Sequence, residues 1–233
     1  MLKKLEWDSL FFNKEIYTFD EIEDLKSLNK LKNYIIQKKI DNKDRLSEVE
    51  LKEKKFKYVS GHTVLELSNI YIYIYIYIRK NSFIKTGNIE DLNQIKEIIK
   101  GLYPYSRFYK ISSEKVDSFY YEWVKKAILG KFDDICFVYK EFGKIKGFIT
   151  LKVKDKELHI GLIGVDKNET SKGIGKELLV KAVEFGKSHN CEKIIVATQI
   201  ENKGAINFYK KNGYKIIQEE KWFYYTGGEM NYD

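Results

Sequence analysis

Leu162-Ile163-Gly164-Val165-Asp166-Lys167-Asn168-Glu169-Thr170-Ser171-Lys172-Gly173-Ile174-Gly175-Lys176-Glu177-Leu178-Leu179 passes from an apolar strand through a polar loop into a helix that opens on two glycines. Glycine has no Cβ, so a ligand can approach the backbone closely there. A helix start offers unpaired N–H groups and a partial positive charge, which suits a phosphate or pyrophosphate. Lys172 and Lys176 add charge. Two familiar phosphate loops are excluded. A GxGxxG fingerprint needs glycine where Leu178 stands, and no GxxxxGK-S/T run is present. A GxG by itself also occurs in loops that bind nothing.

Upstream of this stretch, residues 135–139, 144–153 and 158–165 read as a meander of three strands, with turns at Phe142-Gly143 and Asp155-Lys156. A short strand at 82–86 leads to a helix capped by Asn88, with Glu90 and Asp91 in its first turn. Its apolar face is Ile89, Leu92, Ile95, Ile98 and Ile99; Pro104 then breaks the pattern. A second helix is predicted over 113–129. Downstream come a long helix (172–189), a buried strand (194–198), a short helix (204–211) and two strands (214–218 and 221–225). The order β-α-α-β-β-β-α-β-α-β-β joins an antiparallel meander to a helical crossover and predicts α+β rather than a doubly wound fold.

Ahead of this lies a second region. Ile22, Leu25, Leu28, Leu31, Ile35 and Ile36 recur at helical spacing and predict a helix over 21–39. A short helix through Val49 and Leu51 follows, then strands at 56–59 and 63–67. Residues 70–78 alternate Ile and Tyr without interruption, which predicts one long strand. The polar break Arg79-Lys80-Asn81 places a boundary between residues 1–80, an N-terminal α/β region, and residues 81–233. Lys55-Phe56-Lys57-Tyr58-Val59 with the strand after it echoes Gly213-Tyr214-Lys215-Ile216-Ile217 with Trp222 to Tyr225, so residues 1–80 read as a degenerate half-copy of the second region.

Hydrophobic residues make up 43% and charged residues 33%, which excludes a disordered chain. The +8 charge is spread along the sequence among acids, so it does not choose between nucleic acid, an anionic membrane and a phosphorylated small molecule. Cys136 and Cys191 lack metal-ligand spacing, Cys136 sits in an apolar run, and no metal site is expected. A reducing, cytoplasmic compartment follows from that cysteine usage. No signal peptide and no membrane span are expected.

The quoted stretch resembles the acetyl-CoA-dependent N-acetyltransferases of the GNAT superfamily. Thr170-Ser171-Lys172-Gly173-Ile174-Gly175 is similar to that family's Q/R-x-x-G-x-G/A motif, with Thr170 in place of Gln or Arg. Residues 202–214 are similar to its NxxAxxFYxxxGF segment, and 83–92 to its opening strand and helix. The resemblance covers about two thirds of the chain. It implies a mixed, mostly antiparallel sheet flanked by helices over 81–233. It also implies acetyl-CoA as cofactor. The backbone of Ile163 and Val165 would pair with pantetheine. Thr170, Ser171, Lys172, Gly173, Ile174, Gly175 and Lys176 would hold the pyrophosphate, and Asn202 and Phe208 would contact the cofactor. Tyr209 would be the general acid for the leaving thiolate. His159, on the strand leading to the cofactor, is the candidate base, although a lone strand histidine also serves structurally.

Leu5-Glu6-Trp7-Asp8-Ser9-Leu10-Phe11-Phe12 and the triplet Ser106-Arg107-Phe108 resemble segments of the dTDP-fucosamine acetyltransferases. They make Ser106, Arg107 and Phe108 candidate substrate-binding residues, since an arginine can hold a diphosphate bidentately. The acceptor expected is a small-molecule nucleotide sugar, with no nucleic acid; a homodimer is left open. Two rivals stand beside this reading. One is a GNAT enzyme for a protein N-terminus, polyamine or aminoglycoside, and the other a non-catalytic sensor of acyl-CoA or nucleic acid.

Overall fold

The computed structural model describes residues 1–21, 34–73 and 83–227. Its elements in chain order are β1 (Leu2–Lys4), α1 (Glu6–Phe12), β2 (Glu15–Phe19), β3 (Tyr34–Asp41), α2 (Arg45–Glu53), β4 (Lys57–Ser68), α3 (Ile70–Tyr73), β5 (Ile84–Thr86), α4 (Leu92–Ile99), α5 (Val116–Ile128), β6 (Ile135–Glu141), β7 (Lys144–Lys154), β8 (Glu157–Val165), α6 (Ile174–Ser188), β9 (Lys193–Gln199), α7 (Lys203–Lys211) and β10 (Lys215–Gly227). Among the described residues the strands form one mixed sheet, β1-β2-β3-β10-β4-β9-β8-β7-β6-β5, flanked by helices. This is the α+β architecture the element order predicted. Both sides of the boundary expected near residue 80 supply strands to this sheet, and β10 lies between β3 and β4.

Strand alternation sorts the core into two faces. On β6, Cys136 and Val138 pack with α4 and α5, whereas Phe137 and Tyr139 pack with α6. A third cluster forms around Phe19, Ile36, Leu51, Phe56 and Phe223, where α2 covers the N-terminal strands. Asn88 caps the first helical segment as predicted. Its Oδ1 accepts from the amides of Glu90 (2.9 Å) and Asp91 (3.2 Å), and Asp91 Oδ2 accepts from the Asn88 amide (3.0 Å).

Six predicted elements differ. The helix expected over 21–39 is a strand from Tyr34 onward; its remaining part, 22–33, lies outside the described residues. Ile35 and Ile36 are buried on opposite faces, and a strand covered on both sides shows no alternation to read. The Ile-Tyr run begins as a helical turn rather than a strand, and residues 74–78 lie outside the described residues. Asn69 at φ 54° turns the chain there, and fully buried Ile70 packs against Gly186 of α6. The strands expected at 56–59 and 63–67 are one strand, β4, and those at 214–218 and 221–225 are one strand, β10. The register shifts between β4 and β10 fall at Val59 and Ile217, inside the expected strands, and residues 60–62 pair with 220–222 without a break. The sequence patterns did not reveal β1, α1 or β2.

Candidate active site

The central feature is a parting between two parallel strands. β8 pairs with β9 from Glu157 opposite Lys193 to Ile160 opposite Val196, and there the ladder stops. β8 continues to Val165 and β9 to Gln199. The cause is local. A register shift sits where Leu162 faces Thr150 but Ile160 faces Leu151, so Gly161 is an extra residue. The bulge also switches faces: Leu158 and Ile160 pack with α6, whereas Leu162 packs with α4 and α5. No side chain fits at the bulge, because a Cβ on Gly161 would lie 2.2 Å from Asp133 Oδ2. Past the bulge, the β9-side edge of β8 is unpaired with β9. An extended chain can join such an edge, and Ile163 and Val165 lie on it.

At the mouth of this wedge stands the start of α6. Ser171 (φ 65°) and Gly173 (φ 87°) both take the left-handed conformation and turn the loop into the helix. A Cβ on Gly173 would meet nothing within 4 Å, so open space surrounds this cap. The 15-residue helix brings its partial positive charge to that opening. Thr170 Oγ1 donates to the Lys167 carbonyl (3.2 Å), and Lys172 pairs with Glu169 at 3.0 Å. Gly175 is pressed against Phe208, whose ring would lie 3.1 Å from an added Cβ. An edge strand, an open helix start and two lysines fit a ligand with an extended amide arm and a pyrophosphate.

Two phenols bracket the wedge. Tyr209 on α7 is 3% exposed, with the rings of Phe208 and Tyr214 centred 5.3 and 5.4 Å away. Burial pushes its hydroxyl well up, so it stays protonated at neutral pH. Tyr103, from the loop between α4 and α5, donates to the Ile163 carbonyl at 3.4 Å. Burial, then its neighbours Tyr120 and Tyr209, hold Tyr103 well above its ordinary value. Asn202 caps α7, its Oδ1 accepting from the Ala205 amide at 3.1 Å. His159 lies in the closed part of the ladder, opposite Ile195, with Nε2 3.1 Å from Glu157 Oε2.

Arg107 organises the face that carries α4 and α5. Ser106 is buried; it accepts from the Phe108 amide (3.2 Å) and from Tyr120 Oη (2.8 Å), and Phe108 enters the core. That leaves Arg107 directed at the sheet. Its Nη1 donates to Gln37 Oε1 (2.6 Å) and to Tyr224 Oη, and its guanidinium stacks on Trp222 at 4.0 Å. Asp8 of α1 feels the same cation. Burial raises its carboxyl above the usual range and Arg107 partly opposes this. Gln37, Trp222 and Tyr224 carried no recognisable sequence signal for this site, because strand register brings them here.

The acetyltransferase (GNAT) family model matches residues 92–214. The chain belongs to the GNAT acetyltransferase family. Its domain is an acetyl-CoA-dependent N-acetyltransferase domain. The chain is 25% identical over 138 residues to a dTDP-fucosamine acetyltransferase of Escherichia coli O6:H1, a match covering 58% of this chain and 59% of that protein. It is 28% identical over 154 residues to an N-alpha-acetyltransferase of Sulfurisphaera tokodaii, covering 64% of this chain and 89% of the relative. The PaiA N-acetyltransferase of Thermoplasma acidophilum, solved with coenzyme A, shares the fold: TM-score 0.51, 24% identity, 60% of this chain and 96% of that one. Among the described residues no helix is long and apolar enough to cross a membrane, and no cluster of side chains could hold a metal ion.

Proposed function

We propose that this protein transfers the acetyl group of acetyl-CoA to the amine of a nucleotide-linked amino sugar, a dTDP-4-amino-4,6-dideoxyhexose. The observation that carries the sugar is the meeting of two distant segments. Trp7 stacks on Phe119 at 4.7 Å, Phe12 stacks on Phe108 at 5.7 Å, and Asp8 lies within the field of Arg107. The segments resembling dTDP-fucosamine acetyltransferases thus pack against each other in one core cluster. Arg107 there keeps Nε and Nη2 for a diphosphate.

Acetyl-CoA supplies an activated thioester. The β9-side edge of β8 at Ile163 and Val165 would pair with the pantetheine arm, and the amides of Ser171 to Lys176 would hold the pyrophosphate. A backbone N–H past the bulge stabilises the carbonyl oxygen as charge builds on it. Tyr209 gives its proton to the departing sulfur.

The test is release of free thiol from acetyl-CoA with a panel of dTDP-4-amino-4,6-dideoxyhexoses, simple amines and peptides. Release confined to a dTDP-amino sugar is expected. Release only with peptides favours the second reading, acetylation of a protein N-terminus, which the relative from Sulfurisphaera tokodaii suggests. Tyr209→Phe is expected to lower turnover by roughly 100-fold or more with little change in cofactor affinity; unchanged turnover removes Tyr209 from the mechanism.

A further inference from the structure

The amine that attacks a thioester must be neutral, so the ammonium form has to lose a proton to a nearby acceptor. His62 of β4 lies on the face that carries Arg107, beside the part of β9 that has parted from β8. It lies directly opposite Gln199, the last residue of β9, and directly opposite Glu220 of β10. Directly opposed residues share a face of the sheet. His159 instead faces Ile195, four residues back along β9, or roughly 13 Å toward the closed end.

His62 is held as a proton acceptor is held. Its Nδ1 is 3.2 Å from Glu220 Oε2, and Glu220 pairs with Lys39 at 2.8 Å. The Glu220 side chain is 9% exposed. Burial pushes its carboxyl up, but the bonds from His62 and Lys39 outweigh this and hold it below the usual range, so it is ionised. A carboxylate on Nδ1–H fixes the tautomer in which Nε2 carries the lone pair. The other charged neighbours are Asp41, opposite Glu220 on β3, and Arg107. Trp222 joins these parts. Arg107 stacks on it at 4.0 Å, Lys39 lies 5.7 Å from its ring, and the His62 ring is 6.4 Å away, edge-on. Its buried Nε1–H has no partner among the described residues. A buried indole donor without a partner calls for a bound acceptor or water.

We propose that His62, oriented by Glu220, is the general base that takes the proton from the acceptor amine, and that Trp222 floors the acceptor site between His62 and Arg107. Nε2 takes one proton from the ammonium, directly or through one water. The nitrogen lone pair then forms the C–N bond as the C–S bond breaks, the second amine proton replaces the one given to sulfur, and His62 releases its own proton to solvent. Glu220 is a positioning residue. The proposal rests on acetyl transfer to an amine, not on the identity of the sugar.

The experiment compares His62→Gln, His62→Ala, Glu220→Gln and His159→Gln with the parent protein, using whichever amine of the panel the parent acetylates, so a wrong sugar does not affect it. Circular dichroism and the acetyl-CoA dissociation constant establish that each variant folds and binds. For the His62 variants, kcat/KM for the amine at pH 7 should fall roughly 100- to 10,000-fold. The deficit should shrink about tenfold per pH unit as solution deprotonates the amine instead. Glu220→Gln should lose less and keep the parent's affinity for acetyl-CoA. A His62 variant within threefold of the parent overturns the proposal. So does a loss of the same size at every pH, which marks a structural role, or a pH-rescued loss confined to His159→Gln.

Discussion

Replacing Arg107 by alanine separates holding the fold from holding a ligand. An arginine on a solvated loop can be truncated at a cost within about 0.5 kcal/mol. Arg107 is not placed that way. It donates to Gln37 and Tyr224, which are 3% and 0% exposed, and it stacks on Trp222. Truncation strands the Gln37 oxygen and the Tyr224 hydroxyl away from water and removes the counter-ion of Asp8. Hydrogen bonds to a charged donor are worth about 1.5–3 kcal/mol each, and a guanidinium over an indole about 0.5–2 kcal/mol. Low values for two bonds and one stack give a loss of about 3–4 kcal/mol, or about 10 °C in Tm for a chain of this size. The assay is urea unfolding followed by tryptophan fluorescence, with Tyr224→Phe and the double variant completing a cycle. The coupling energy should reach about 1 kcal/mol or more. A loss for Arg107→Ala below about 1 kcal/mol refutes the reasoning and returns Arg107 to a purely ligand-facing role.

Two further perturbations probe the wedge and the acid stability. Gly161→Ala puts a methyl group 2.2 Å from Asp133 Oδ2 and 2.8 Å from Thr150 Oγ1, so it should destabilise by about 1–3 kcal/mol; stability within about 0.5 kcal/mol of the parent in denaturant titration contradicts the bulge argument. Lys221, then Lys52, holds the Glu48 carboxyl down to about 2 from 4.5, so its stabilisation is present above pH 4.5 and is lost as pH falls toward about 2. Glu48→Gln should flatten the fall of Tm across that window, and an unchanged slope would show that Glu48 does not carry it.

Gly173 and Gly175 made the α6 start legible because a helix that opens on glycines is a local pattern. The Asn88 cap and the meander were legible for the same reason. The parting of β8 from β9 was not, since it depends on which residue of β7 faces Leu162. β3 was misread because burial on both faces erased the alternation that marks strands. Residues 5–12 drew notice only as a resemblance, and nothing local tells that Asp8 ends beside Arg107. His62 lay in the gap between the strands expected at 56–59 and 63–67, and its partner Glu220 comes from the far end of the sequence, so only register joins them.

The position of β10 has a consequence for how the chain reaches its native state. Its register partners on β3 and β4 precede it by more than 140 residues. During synthesis β3 and β4 therefore emerge long before the strand that separates them, and each presents an open edge in the meantime. Non-local pairing of this kind is slow and leaves strands exposed to wrong partners. The helix-rich stretch from α4 to α7 can collapse first on local contacts, and the insertion of β10 then closes the sheet as the committing step. A ribosome-stalled chain ending before Lys215 should for that reason remain protease-sensitive in residues 34–68, and gain protection only once the strand through Gly227 has cleared the exit tunnel.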